Sequence, residues 1–402
     1  MSGAWIIDAV RSPRGRGNDK GALRPIAPVA LLGQTLSALA ARQSLATEQV
    51  VEGVFGCVTQ TGEQGSAIGK LGLIEAGWSD AVPGLTINRY CASGLSALDL
   101  AAQAAMREGA LAVGGGVEMM SRVPMASDQG PLTHDGALQR RHALVPIGLS
   151  ADAVATMEGF SRAQCDDFAL ASQQRAVAAV QSGRFVSVVP VLGEDGSTLL
   201  AQDETPRAST NAASLAALAP AFAALGQKTG FDALLCERYG LAQIDHVQHA
   251  GNSPAMADGA SAVLVAHPDA ARAQGLRPRA RILSCATVSV DHTLALTGSV
   301  PATERALAKA GLGVADIDLF EVNESFASLM LHYMRHLGVP HDKLNVNGGA
   351  IALGHAMGST GTSLVGMALD ELERRDARRA VVAICGAAGL AVAMVLERMP
   401  HA

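Results

Sequence analysis

Short apolar runs closed by glycine or turn residues alternate along most of this chain with longer segments of helical period. This alternation restricts the fold more than any other feature. Residues 4–10 (AWIIDAV), 51–58 (VEGVFGCV), 84–88 (GLTIN) and 110–113 (ALAV) read as buried strands. Between them, 29–42 places Leu32, Leu36, Leu39 and Ala40 on one face. Residues 93–107 do the same with Leu95, Leu98, Ala102 and Ala105, and Gly109 stands where such a helix would stop. The alternation predicts an α/β chain with parallel sheets covered on both faces. It returns at 260–266, 280–289, 317–322, 344–347 and 381–385. The stretch 121–245 is richer in Pro, Asp, Gln and polar turns, with helices expected over 161–182 and 211–219, and reads as an inserted lobe. The chain thus divides into two similar halves, 1–120 plus 246–272 and 273–402, with 121–245 inserted in the first.

Composition narrows the function. Half of the residues are apolar (49%) but only 3% are aromatic, and there are 43 glycines, so the core must be built from Ala, Val, Leu and close backbone approaches. Lys and Arg number 31 against 37 Asp and Glu, a net charge of −6, which opposes nucleic-acid binding. The longest apolar run, 381–396, is broken by Gly386 and Gly389. Its 16 residues fall short of the about 20 that a membrane span needs, and it reads as strand–turn–strand. The opening residues read as a strand rather than a signal peptide. With no CxxC pair among six scattered cysteines, free thiols in the cytoplasm are expected. GEQGSAIGKL lacks the first glycine of a phosphate loop and has Leu71 where Ser or Thr is needed. His246 with His249, and His332 with His336, have metal-ligand spacings, but neither pair has an evident third ligand, and no metal is expected.

Reactive side chains fall at the ends of separate predicted strands, each bedded in small residues. Cys91 sits in NRYCASGLSAL at a strand-to-helix turn. A helix starting near Ser93 would aim unpaired N–H groups at the thiol, which predicts a lowered pKa and accessible thiolate near neutral pH. His355, in NGGAIALGHAMGSTG, is set to take a proton from a thiol. Cys385, in AICGAAGLA, taken alone is equally a small buried hydrophobe. Asn323 and Glu324, in EVNESFA, follow the strand IDLFEV and face the crevice at carboxyl strand ends. Two thiols and an imidazole suit acyl chemistry, one thiol holding an acyl group while the other moves a carbon-bound proton.

At these residues the sequence resembles the thiolase family, of the acetyl-CoA acetyltransferase or C-acyltransferase type. The likeness runs nearly end to end and includes GGVEMMSRVPM, DETPRASTNAASLAALAPAF, HAGNSPAMADGASA, EVNESFA, NVNGGAIALGHAMGSTG and CGAAGLAVAM. It implies a duplicated five-layered αβαβα architecture, with the 121–245 loop domain covering coenzyme A. It implies Cys91 as the acylated nucleophile, His355 as its base and Cys385 as the acid/base acting on the second substrate. Asn323, holding a water, and His355 would donate to one thioester oxygen, and the backbone N–H groups of Cys91 and Ala387 to the other. Arg207, Ser214 and Phe222 fall on positions that look like coenzyme A contacts, and Ala250 and Phe326 on apolar positions near the pantetheine and acyl group. The implied reagents are acyl-CoA and CoA with no further cofactor, and the implied partner is another copy of the chain, as a homodimer or homotetramer.

The chain departs from the family pattern at Ala356, where Pro is usual, and at CGAAG, where C-x-G-G-G is common. Pro254 replaces a coenzyme-touching Ser, and PIG (146–148) replaces HMG. The implied reaction is a reversible Claisen condensation of acyl-CoA with acetyl-CoA. A ketoacyl synthase would pair its Cys with two His, or His and Asn; the second thiol here, Cys385, argues against it. A non-catalytic acyl-CoA-binding protein would have no need of Cys91, His355 and Cys385.

Overall fold

The computed structural model describes residues 3–400. Its principal strands are β1 (Trp5–Arg11), β2 (Val50–Gly56), β3 (Gly84–Ile87), β4 (Leu111–Met119), β5 (Ala257–Ala266), β6 (Ala280–Ser289), β7 (Leu319–Val322), β8 (Arg379–Cys385) and β9 (Leu390–Arg398). The principal helices are α1 (Pro28–Gln43), α2 (Ile68–Glu75), α3 (Ser93–Glu108), α4 (Ile147–Glu158), α5 (Arg162–Gln181), α6 (Ser299–Ala310), α7 (Ala327–Leu337) and α8 (Met357–Arg374). These nine strands follow one path, β7-β8-β9-β6-β1-β5-β4-β2-β3; Gly15–Arg16 pairs with β5 off it, and Val191–Leu192 with Thr198–Leu200 make a separate two-stranded sheet.

The two ends of that path repeat one topology. In the first half, β2 and β4 pair in parallel, and β5 and β1 follow antiparallel; in the second, β7 and β8 are parallel, and β9 and β6 follow antiparallel. The halves join where β1 meets β6 over two residue pairs, Trp5 with Arg281 and Ile6 with Ala280. The sheets are therefore mixed rather than parallel. β2 with β3 and β7 with β8 are linked through helices and run parallel, whereas the four-residue turn 386–389 can only return β9 antiparallel to β8. The first half has residues 120–256 where the second has that turn.

Side-chain alternation builds the layers. Ala380, Val382 and Ile384 of β8 face one apolar cluster, and Val381, Ala383 and Cys385 face another. The first cluster holds α3 and α8 between the two half-sheets. A second covers the outer face of the first half with α1, and a third covers that of the second half with α6 and α7. The layers run helix–sheet–helix–sheet–helix.

Three expectations need correction. Residues 344–347 make a single bridge, Leu344 to Phe320, because Asn345 is left-handed (φ +45°) and spends its side chain on Val322 N and O, both at 2.8 Å. The helix expected over 211–219 is only Ala212–Ala216, shortened ahead of Pro220. The inserted stretch is not a lobe apart: Val154 of α4 and Phe168 of α5 share the apolar cluster of α7 and Ile351, so these helices complete the outer layer of the second half.

Where α3 and α8 cross, glycine is required. A Cβ on Gly94 would lie 2.7 Å from the Gly358 carbonyl oxygen, and one on Gly361 would lie 2.2 Å from Leu95 N. Gly361→Ala is expected to destabilise the protein by about 1–3 kcal/mol through overpacking against rigid backbone. Urea unfolding measures it, and an unchanged midpoint would contradict the close approach.

Candidate active site

Two helix starts and the ends of two strands converge at the centre of the molecule. Cys91 lies two residues before α3 and His355 two before α8, and these helices cross at Gly94 and Gly358, each three residues beyond the functional side chain. Tyr90 is left-handed (φ +48°), which turns the chain sharply into Cys91. The loop after Cys385 lies against this turn: a Cβ on Gly386 would sit 3.5 Å from Cys91 N and 3.1 Å from the Arg89 carbonyl oxygen. The His355 backbone N–H donates to Ala255 O at 2.8 Å. Asn323 follows β7 directly, and its segment meets that of His355 at a small cavity lined by Arg14, Asn323, Leu353, Gly354 and Thr360.

Burial governs the protonation states. It pushes the Cys91 thiol up from its ordinary value, and the neighbouring Cys385 and Glu118 push it further. The standing thiolate expected at the start of α3 is thus corrected: loss of hydration outweighs the helix end, and the resting group is a thiol. Cys385 is also raised by burial, against the opposing effect of the Ser325 and Ser299 hydroxyls. His355 is pushed down to about 3, by burial first and then by the Arg14 guanidinium. It is therefore neutral near pH 7.

The hydrogen bonds assign the tautomer. Thr360 donates its hydroxyl hydrogen to Ala356 O at 3.1 Å, so its oxygen accepts from His355 Nδ1 at 2.9 Å. Nε2 then carries the lone pair, and it has no partner. Asn323 Nδ2 donates to Ser325 Oγ at 3.1 Å while its Oδ1 is unpartnered, and Ser325 Oγ lies 3.1 Å from Cys385 Sγ. A thiol, a free base and a second thiol are what acyl transfer coupled to carbon-proton transfer requires.

Comparison with known proteins decides the family. A model of the thiolase N-terminal domain matches residues 4–234, and one of the thiolase C-terminal domain matches 276–398. The chain belongs to the thiolase family. It is 39% identical to a 3-ketoacyl-CoA thiolase of Serratia proteamaculans, with 99% of this chain and all of the relative covered. Proteins of the same description from Erwinia tasmaniensis and Cronobacter sakazakii are 38% identical over the same shares. This thiolase is an acyltransferase with the α/β fold described above.

Residues outside the catalytic centre divide by burial. Phe326 is buried, and the half-buried Phe222 meets it edge-on at 6.0 Å between ring centroids. The Phe222 ring fills the space above Gly148, where a Cβ would come within 2.2 Å of it, so the PIG segment carries glycine where the ring lies. Ala250 is exposed. Arg207 is exposed, its backbone N–H bonded to Gln173 Oε1 at 2.8 Å. Ser214 is exposed in a capping box with Asn211, which it accepts from at 3.1 Å and donates to at 2.7 Å, leaving one lone pair for a ligand.

Sequence reasoning missed Thr360, Ser325 and Glu118 as individuals. The first two lie close in sequence to His355 and Asn323, inside segments already singled out. Glu118, next to last in the glycine-rich β4, accepts from Val58 N, Thr59 N, Gln64 Nε2 and Gly358 N at 2.9–3.0 Å, which pins the start of α8 to the first half. In the CGAAG turn, Ala388 is the left-handed residue (φ +57°) and Ala387 is not, so the Ala387 amide is free of that strain.

Two predictions follow from this geometry. Ala388→Gly relieves left-handed strain and should stabilise the protein by about 1 kcal/mol, read from thermal melting; a loss of stability would contradict the φ value. Because His355 is depressed to about 3, lowering the pH from 8 to 5 leaves it neutral. The acylation burst should show no acid limb in that range, whereas a fall centred near pH 6.5 would mean an unperturbed imidazole.

Proposed function

We propose that this thiolase cleaves 3-ketoacyl-CoA with CoA and, in reverse, condenses an acyl-CoA with acetyl-CoA, through an acyl group carried on Cys91. The observation that supports it best is the neutral His355 with Nε2 free, at the start of the helix that crosses α3 three residues beyond a protonated Cys91, together with a second buried thiol at Cys385. In the cleavage direction the Cys91 sulfur attacks the 3-keto carbon as its proton passes to His355 Nε2. The bond between carbons 2 and 3 breaks, and its electron pair goes to the enolate of acetyl-CoA. The Cys385 thiol, kept protonated by burial, gives its proton to that carbon. CoA then returns a proton to Cys385 as its sulfur attacks the acyl group, and the released Cys91 sulfur regains its proton from His355.

The enolate is the costly species, and donors already aimed at its oxygen stabilise it; losing one such donor costs about 3–4 kcal/mol. His355 and a water held on the unpartnered Oδ1 of Asn323 serve one oxygen, and the amides of Cys91 and Ala387 the other. Phe222, Phe326 and Ala250 would line the pantetheine and acyl path, with Arg207 and Ser214 toward the nucleotide end. The scheme uses CoA thioesters and no other cofactor. Self-association as a dimer or tetramer belongs to this reading, supported by the edge strand β3, where Leu85 is exposed, as are Leu71 and Ile74 of α2. A cytoplasmic setting also belongs to it, in keeping with six free cysteines.

Two variants test the roles. Cys91→Ser should lose the covalent adduct with labelled acetyl-CoA, and an adduct forming at the wild-type rate would overturn the nucleophile. Cys385→Ala should still acylate but fail to exchange acetyl methyl protons with solvent; retained exchange would assign the proton transfer to another group. A series of 3-ketoacyl-CoA chain lengths then measures the acyl preference.

A further inference from the structure

The far ends of α4 and α7 carry a group that the acyl chemistry does not use. His332 and His336 are one turn apart on the same face of α7, their rings 4.2 Å apart between centroids. Glu158, the last residue of α4, supplies the third group that the sequence alone did not reveal. Its Oε1 lies 3.0 Å from His332 Nδ1 and 2.7 Å from His336 Nε2. The other histidine pair does not converge: His246 meets Asp152 and Asp232, while His249 meets Asp166. Among the described residues, Glu158, His332 and His336 are the one set of three His, Cys, Asp or Glu side chains able to bring a ligand atom each to a common ion.

We propose that Glu158, His332 and His336 bind a divalent transition-metal ion of the zinc or nickel class, clamping the ends of α4 and α7. Two imidazole nitrogens and one carboxylate oxygen form a borderline donor set suited to such ions, and two histidines at i and i+4 present both rings to one side of a helix. The remaining coordination positions open to solvent on the side of His336, whose side chain is 45% exposed. Arg335 acts as an orienting partner behind the carboxylate. It bonds Glu158 Oε2 at 2.9 Å and the Glu158 carbonyl oxygen at 2.6 Å, and it stacks 4.0 Å from the Phe160 ring centroid, which leaves Oε1 to the ion. The site lies about 9–15 Å along α7 from Phe326, and Ser328 Oγ, donating to Ala151 O at 3.0 Å, already ties the two helices nearer that end.

The test uses the full chain stripped with chelator, carrying Cys91→Ala and Cys385→Ala so that no active-site thiol competes for metal. Titration with Ni²⁺ alone should give one ion per chain and raise the melting temperature by a few degrees at about 100 µM metal. Adding His336→Ala should weaken binding at least about tenfold and abolish the shift. Should that variant not fold, His332→Gln carries the same expectation. Equal binding with and without His336 would overturn the proposal. So would no binding at about 1 mM Ni²⁺, or a loss of stability in His336→Ala that is the same with and without metal; these are the outcomes of a plain ion-pair staple.

Discussion

The carbonyl of Gly358 is the point on which the site depends. Cβ atoms built on Gly56, Gly94 and Gly116 would come within 2.6, 2.7 and 2.1 Å of its oxygen. Three strands and helices of the first half therefore approach the first turn of α8 with nothing but backbone between them. The buried carboxylate of Glu118 fastens the same turn by accepting from Gly358 N. Because α3 and α8 each begin two residues after a reactive side chain, this one approach determines how Cys91 and His355 stand to each other.

Burial does the rest of the chemistry. A helix start in water would favour a thiolate, but Cys91 is packed inside the molecule and the solvent that would stabilise its charge is gone. The same loss of water holds His355 neutral, with Arg14 adding to it. The two shifts are opposite in sense and complementary in effect. In the proposed scheme a thiol that holds its proton gives it to a base that lacks one only when a substrate offers the sulfur a carbon to bond. Thr360 sets which ring nitrogen is free, and Ser325 links Asn323 to Cys385.

Much of this was legible beforehand. Strand and helix positions followed from apolar period and glycine, and the segments around Cys91, Asn323, His355 and Cys385 stood out because each put a reactive group among small residues. The misreadings have physical causes. Asn345 looked like part of a strand because its neighbours are apolar, but its side chain replaces ladder bonds with Val322. The 121–245 stretch looked separate because it is polar in sequence, yet the inner faces of α4 and α5 are apolar and complete the second half.

Sequence alone settled the residue types available for reaction, the local turns that present them and the family to which they belong, because these depend on short-range period and spacing. Only the tertiary structure decided which of those groups meet and in what protonation state. Glu158 and the pair His332 and His336 are 174 residues apart at their nearest, and no local pattern announces their convergence. Protonation likewise follows from the water excluded by distant segments, a quantity that no window of the chain contains.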